Sequence, residues 1–552
     1  MLMANIPVAP DKVINKSITK MTKLRYIHIF TTISLSILLT VACNERQARP
    51  SITPRDTTIN KSNAYTPVFI DSTILENFLD KNVPSDSIKN HMRSFYNARN
   101  YSTAWFDENG LTSQAQGFWY AHNNEARQIA DSGIYDRELH ELIDTLLTND
   151  SLIISQNKAS ASVELRFTMH FFEYVDFVYG GKVDPATVQW HIPRRKLKAI
   201  ALLDTVLSGR TGEWKPLNKA FQGLQSQLFR YRKIQQLGGW GEIPVSKRTL
   251  GVGDDDPSII QLKKRLSSSG NYAGSDTSST YSEDLVLAVK QAERTFGFKE
   301  DGIIRTELIS ALNVPVEQRI RQMLVNLERM KWMPELPENY LLANIPEFRL
   351  HIIENRKWVS GMDIVVGKSA NRTVIFSDKL KYVVFSPYWN IPQSIVRNEI
   401  LPAIKRNGGY LARNNMEITG YSGNLPVVRQ KPGKGNALGK VKFIFPNKYN
   451  IYFHDTPSKS LFNKQQRAFS HGCIRLHKPF DLAAYLLRDQ SEWTQEKIRS
   501  AMNQTTEKWV ELDKPVPVFI TYFTSWVDHE GIIHFVDDIY NHDKDLAGHL
   551  FG

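Results

Sequence analysis

From about residue 71 to 250 the apolar positions recur at three- and four-residue multiples, as Leu165, Met169, Phe172 and Tyr179 do before the stop signal Gly180-Gly181. That period lines one face of a helix and predicts a helical region. Residues 254–313 read as a smaller helical unit. Asp254-Asp255-Asp256-Pro257 opens a helix bearing Ile260, Leu262 and Leu266, and a Ser/Gly-rich loop runs from Ser267 to Ser279. Leu285, Ala288, Val289 and Ala292 then mark a second helix, and Phe296 to Ile304, turning at Asp301-Gly302, leads to a short third. Pro315 to Trp332 carries Val316, Ile320, Leu324 and Leu327 at helical spacing and stops before Pro334 and Pro337. It predicts one amphipathic linking helix over 314–338.

At Tyr340 the period drops to two. Phe348, Leu350 and Ile352 alternate with Arg349 and His351, and the chain turns at Glu354-Asn355-Arg356. Trp358 to Val366, Leu380 to Phe385, Val516 to Thr524 and Ile532 to Val536 continue the pattern, which predicts a mostly β domain over 339–540. A last stretch, 541–552, is left as a tail. Between Trp389 and Phe443 an insertion of roughly fifty residues begins helically, Ser394 to Arg406, and then becomes Gly/Asn-rich. Loops of that length in a compact domain are usually functional or disordered.

A chain of 552 residues is too long for one core and predicts about two to four domains. The net charge of +12 points to acidic partners. The Lys and Arg are scattered without a base-stacking motif, which argues against nucleic acid. An anionic wall polymer or a membrane surface fits better, and a merely solvated basic surface fits as well.

The N-terminus narrows this. Lys20, Lys23 and Arg25 precede the apolar run Ile27 to Leu39, which is short for a transmembrane helix and ends in Thr40-Val41-Ala42-Cys43. It reads as an export signal. Residues 1–20 fit no part of such a signal, which makes Met21 an alternative start. Small residues before Cys43 resemble a bacterial lipobox, with Thr40 where that motif usually has Leu. The resemblance implies that Cys43 is lipidated, anchors the chain to a membrane and becomes the mature N-terminus. Residues 44–70, polar and rich in Pro, Ser and Thr, predict a tether behind it.

Only two cysteines occur in the chain. With Cys43 lipidated, Cys473 has no partner within an exported protein, and a lone thiol there invites a catalytic explanation. It lies in Ser470-His471-Gly472-Cys473-Ile474-Arg475-Leu476, behind Ile451-Tyr452-Phe453-His454-Asp455-Thr456-Pro457. A thiol attacks as the thiolate and needs a base. Ile451-Tyr452-Phe453 reads as a short strand delivering His454, and His471 is the other candidate. Gly472 permits backbone to approach the sulfur closely. Two plainer readings compete: a small buried hydrophobe, or a zinc site of Cys473 with His454, His471 and His477, which one thiolate without a CxxC pair fits poorly.

His454 followed by Ser-His-Gly-Cys-Ile-Arg resembles the signature of the L,D-transpeptidases, whose catalytic fold is the YkuD domain. Phe-His-Asp-Thr-Pro-Ser-Lys and Arg-Ala-Phe-Ser-His-Gly-Cys-Ile-Arg-Leu are most similar to the large YcbB-type members. Phe95 to Tyr101, Ala104-Trp105-Phe106, Gly181 to Pro185, Tyr231-Arg232 and Gly238-Gly239-Trp240 resemble the scaffold domain of those enzymes, although such an aromatic stripe alone would be core packing. Residues 254–313 resemble the three-helix peptidoglycan-binding domain, with Gln291-Ala292 where it usually has Phe-Gln. The whole reads as a multidomain α+β chain: helical scaffold (71–250), small three-helix module, and mostly-β YkuD domain with a capping lid over about 394–442.

What the resemblance implies is specific. Cys473 attacks a tetrapeptide stem of peptidoglycan between its third and fourth residues, and a neighbouring stem's amine resolves the thioester into a 3→3 crosslink. His454 is base and acid, with the backbone carbonyl of Asp455 orienting it. Gly472 and Cys473 N–H groups, with His471, form the oxyanion site, and Arg475 braces the loop or a substrate carboxylate. Arg429, Asn436, Trp389 and Ser470 contact the substrate. No metal or organic cofactor is implied, and cell-wall synthases are possible partners. Resolution by water or by a protein amine, giving an L,D-carboxypeptidase or a wall ligase, stays open on the same residues. So does an inactive wall-binding lipoprotein, against which the intact His454/Cys473 pair argues.

Overall fold

A computed structural model describes residues 52–120, 137–148, 158–195, 198–210, 219–245 and 249–552. The export signal and Cys43 lie outside these. Among the described residues no helix is long and apolar enough to cross a membrane. The chain divides into two units, one of residues through Thr112 with 151–169, the other of 113–150 with 170–552.

In the first unit two helices start on side-chain caps: Asp71 accepts from the Thr73 N–H ahead of Ser72–Asn82, and Ser85 from that of Ile88 ahead of Asp86–Ala98. Each cap satisfies an N–H that the first turn leaves open. Tyr96, Tyr101, Trp105 and Phe106 are buried core. Buried among them, Glu164 accepts from the N–H groups of Ala104 (2.7 Å) and Trp105 (3.0 Å) and from the Tyr96 hydroxyl (2.9 Å). The sequence predicts a free tether up to residue 70, but from Thr53 onward the chain is docked. Thr53 N–H donates to Ser94 Oγ (3.1 Å), Asn97 returns a bond to the Thr53 carbonyl (2.9 Å), and the buried Thr66 hydroxyl meets that of Thr103 (2.6 Å). Polarity that reads as solvation is here hydrogen bonding to a fixed partner.

In the second unit the small module consists of helices Ser258–Ser268, Glu283–Thr295 and Thr306–Leu312. Its Asp301-Gly302 turn needs glycine, at φ +73°. The buried Glu293 carboxylate accepts from the N–H groups of Gly302 (2.8 Å) and Ile303 (3.2 Å). The linking helix is Val316–Trp332, and it is buried well beyond its apolar stripe. Asn326 bonds Thr524 Oγ1 (2.7 Å), Glu328 accepts from Val183 N–H (2.9 Å), and Arg329 pairs with Asp543. Asp543 belongs to residues 541–552, expected as a tail. They form instead the helix His542–Phe551, which buries Leu546 and Ala547.

The mostly-β part is a closed ring. Its strands are β1 (Trp190–His191), β2 (Tyr340–Asn344), β3 (Arg349–Glu354), β4 (Lys357–Gly367), β5 (Ile375–Phe385), β6 (Val441–Ile444), β7 (Phe453–His454), β8 (Ala468–Ser470), β9 (Ile474–Leu476) and β10 (Lys508–Thr521). Hydrogen bonds link them in the order β6-β7-β9-β4-β3-β2-β10-β5, and β5 pairs back onto β6. Closure removes sheet edges. Outside the ring, β1 pairs parallel with β5 and β8 with β4. Alternation sends Leu350, Ile364, Val383, Phe443, Phe453 and Ile474 into the core.

The insertion after Trp389 has its own small core of Ile391, Ile395, Val396, Ile400 and Val428. Its Gly/Asn-rich half is ordered: Met416–Ser422 and Leu425–Gln430 form a hairpin, which pairs with Trp389–Asn390.

Candidate active site

β7 and β9 run parallel, with Phe453 opposite Ile474 and His454 opposite Arg475. Phe453 and Ile474 are fully buried, so the alternate positions face the other way. His454 and Arg475, opposed in the register, therefore share a face, with Tyr452 just ahead of β7 and Cys473 in the bend that opens into β9.

The thiol is half-buried. Its Sγ lies 3.6 Å from the Asn450 carbonyl, with Tyr452 beside it. Burial pushes the thiol up, while Tyr452 and the Arg475 charge pull it down. Tyr452 is in turn raised by burial and by the thiol beside it. His454 is buried, with Nδ1 2.5 Å from the Asp455 carbonyl oxygen. A proton on Nδ1 donates there and leaves Nε2 as the acceptor. Burial, with the Arg475 charge, drives the imidazole down to about 3 against the carbonyls of Asp455 and Leu438, so His454 is neutral at physiological pH. Burial thus favours the uncharged form of both groups, pushing the imidazole down and the thiol up. The Asp455 carboxylate is turned to other work, accepting from Lys440 N–H (2.9 Å), Thr456 N–H (2.7 Å) and the Lys459 ammonium (2.7 Å).

His471 diverges from the sulfur. It is exposed, and its Nε2 lies 3.0 Å from Glu399 Oε1 in the insertion. Gly472 sits at φ +117°, a backbone open in practice only to glycine. Its N–H donates to Ser470 Oγ (3.1 Å), and that hydroxyl donates to the Cys473 carbonyl (2.6 Å). The Gly472 carbonyl accepts from Thr373 Oγ1 (2.8 Å), which accepts from Gly367 N–H (2.9 Å). The Gly472 N–H expected at the oxyanion is thus committed to shaping the turn. Arg475 keeps a buried Nε with no hydrogen-bond partner.

The four expected substrate contacts divide. Ser470 is buried in the nucleophile turn. Asn436, 1% exposed, gives its amide to the carbonyls of Pro387 and Lys431 (both 3.0 Å) and accepts from Leu438 N–H (2.8 Å). It orders the insertion's exit instead of facing outward. Arg429 bonds Glu417 (2.6 Å) and lies over the Tyr388 ring at 4.3 Å. Trp389 pairs with Gln430 and packs against the insertion's core. Among the described residues no group of three His, Cys, Asp or Glu is spaced to hold a metal ion.

Residues 338–517 match the L,D-transpeptidase catalytic domain family (YkuD), residues 90–237 a scaffold domain, and residues 255–312 a peptidoglycan-binding domain. The chain carries a YkuD L,D-transpeptidase domain. A relative from Haemophilus influenzae named as an L,D-transpeptidase is 32% identical over 249 residues, 42% of this chain; the match spans 50% of that relative's length. Among solved structures, the L,D-transpeptidase of Stackebrandtia nassauensis is 12% identical, covering 51% of this chain and 96% of that one, with a TM-score of 0.21. L,D-transpeptidase 3 of Mycobacterium tuberculosis is 13% identical over 34% of this chain and 63% of that one, with a TM-score of 0.18.

The roles of two residues of the transpeptidase domain escaped sequence reasoning. Tyr452 reads there as one apolar position of a short strand, yet its ring stands 5.7 Å from that of His454 and its side chain acts on the thiol. The alternation Tyr452-Phe453-His454 held the signal, because a residue two before the base shares its face. Thr373-Val374 resembles the family's usual Thr-Pro and is expected to bear on loop rigidity alone, yet Thr373 holds the Gly472 carbonyl from 99 residues away.

Proposed function

We propose that this L,D-transpeptidase forms 3→3 crosslinks in peptidoglycan through a Cys473 thioester. The placement of Cys473 at the entry to the strand that pairs in parallel with the one bearing His454 carries the reading. Nε2 of His454 takes the thiol proton as Sγ attacks the carbonyl carbon of the stem's third residue. A neutral base and a raised thiol suit this general-base route, in which the proton moves as the C–S bond forms. The amide C–N bond then breaks, and the departing D-Ala amine takes the proton from His454. In the second half the third-residue amine of an acceptor stem attacks the thioester. A C–N bond forms, C–S breaks, and the amine's proton passes through His454 back to sulfur.

The Cys473 N–H serves the oxyanion, with Gly472 and Ser470 holding its direction. Arg475 favours the developing thiolate. The insertion is the lid over this face, and Arg429 and Trp389 are its surfaces toward the stem. At the other end, lipidated Cys43 holds the enzyme in the cell envelope.

Purified protein incubated with a disaccharide-tetrapeptide, followed by mass spectrometry, tests the chemistry. A dimer lighter than two monomers by one D-Ala, absent with Cys473→Ala, is the expected product. Release of D-Ala with tripeptide monomer alone would assign hydrolysis instead. Substantial dimer from Cys473→Ala would overturn the nucleophile.

A further inference from the structure

β1 is a puzzle for a purely catalytic account. It comes from the scaffold match, not the transpeptidase match, yet pairs Trp190 with Ile375 and His191 with Phe376 on the outside of a ring that is already closed. Beside it opens a pocket of about 490 Å³, walled by His191, Phe376, Asp378, Lys448 and Tyr449. That volume lies within the range of about 300–1,000 Å³ common for small-molecule sites.

The walls are amphipathic. The Tyr449 ring stands 4.9 Å from Phe376 and 5.5 Å from His191, centroid to centroid, which makes an aromatic surface for an apolar ligand face. Around it stand a carboxylate, an ammonium and an imidazole. Lys448 lies 5.3 Å from the Tyr449 centroid, and Asp378 accepts from Lys379 N–H through one oxygen. Charges of both signs at one rim suit a neutral ligand with many donors and acceptors better than an anion. A sugar ring offers that combination: apolar C–H faces edged by hydroxyls, and an acetamido group that both donates and accepts.

The pocket also reaches the nucleophile through one loop. Asn447 cross-links it, its amide donating to the carbonyls of Phe445 (2.6 Å) and Ile451 (2.7 Å) while its oxygen accepts from the N–H of Tyr449 (3.0 Å). The next residue after Tyr449 is Asn450, at φ +55°, whose carbonyl meets Cys473 Sγ. A ligand seated on Tyr449 therefore rests one residue from the group that touches the thiol.

We propose that this pocket is a saccharide subsite, taking an N-acetylated amino sugar of the glycan whose stem reaches Cys473. The assignment rests on the function proposed above and adds to it that the donor is recognised by its sugar as well as its peptide.

Full-length protein is assayed with two donors, a disaccharide-tetrapeptide and the same tetrapeptide without sugar. Tyr449→Ala and Lys448→Glu should each raise KM for the glycan-bearing donor about tenfold and leave kcat and the sugar-free donor unchanged. Equal effects on both donors, or none on either, would overturn the subsite. A wild-type protein that turns over neither donor would sink the transpeptidase reading instead. Calorimetry with an N-acetylglucosamine tetramer then decides the pocket alone: binding weakened about tenfold by Tyr449→Ala supports it, and binding absent, or unchanged by the substitution, refutes it.

Discussion

The strands that present Tyr452, His454, Cys473 and Arg475 turn their other faces, through Phe453 and Ile474, into the continuous core of the second unit. The insertion beside them rests on five buried apolar side chains and on ion pairs open to water, such as Glu417 with Arg429 and Lys431. On the ring, register fixes where a side chain points, and a slip of one residue would reverse every face. In the insertion, position depends on a small core and on screened charges, so it should open at lower cost than the ring unfolds. Substitutions on the ring face should therefore change chemistry, and those in the insertion should change access.

The largest effect tests the first half of that contrast. Cys473→Ala should abolish acyl transfer while leaving the melting temperature almost unchanged, because a half-buried thiol adds little packing. A large fall in Tm would make the residue structural. His454→Ala follows, with an expected loss of about 10²–10⁴-fold in kcat. Alkylation of Cys473 should in the wild type rise only at alkaline pH, since burial raises the thiol and His454 is neutral. A plateau of reactivity at neutral pH would reveal a thiolate-imidazolium pair and overturn the neutral imidazole.

Next in size is the support beneath the turn. Thr373→Val removes the donor to the buried Gly472 carbonyl, which should cost about 1–3 kcal/mol of stability. It should also lower kcat with KM unchanged, because the turn aims the nucleophile. Thr373→Ser, which restores the hydroxyl, should recover both. Failure of the serine variant would assign Thr373 to packing alone.

Acid should strain the same unit. His454 and His542 are held by burial at about 3 and about 4, below the ordinary 6.5. The folded state thus binds fewer protons than the unfolded one between pH 6.5 and those values, and stability rises with pH across that window. The contribution is complete above pH 6.5 and is lost as the pH falls toward 4. His542→Phe, which keeps a ring against Tyr522 and Tyr540, should flatten the urea midpoint plotted against pH. An unchanged slope would remove His542 from the account.

Much of this was legible in the sequence for a physical reason. Periods of 3.6 and 2 reflect which face is buried, and they mark the helices and the ring strands. The two motif halves fall on paired strands, His454 closing one and Cys473 sitting in the bend just before the other. What stayed hidden depends on partners far along the chain. The linking helix reads as amphipathic, yet Arg329 and Asn326 on its polar side are buried against Asp543 and Thr524. Residues 53–70 look solvated until Ser94 and Asn97 are placed beside them. Gly472 looks like an oxyanion donor until Ser470 Oγ accepts its N–H.

The smallest effect distinguishes the two histidines. Both precede Cys473 closely in sequence, but His471 faces the insertion, where its side chain and that of Glu399 are 42% and 53% exposed. A pair so open to water is worth under about 1 kcal/mol. If its role is to hold the insertion, Glu399→Gln and His471→Ala should act alike. Each should speed hydrogen exchange across 393–430 severalfold and leave the pH dependence of Cys473 alkylation where it was. His454→Ala should do the reverse, lowering thiol reactivity with exchange in the insertion unchanged. Should His471→Ala alone shift the alkylation profile while Glu399→Gln does not, the imidazole acts on the sulfur. The division between a ring that does chemistry and an insertion that controls access would then fail at its point of contact.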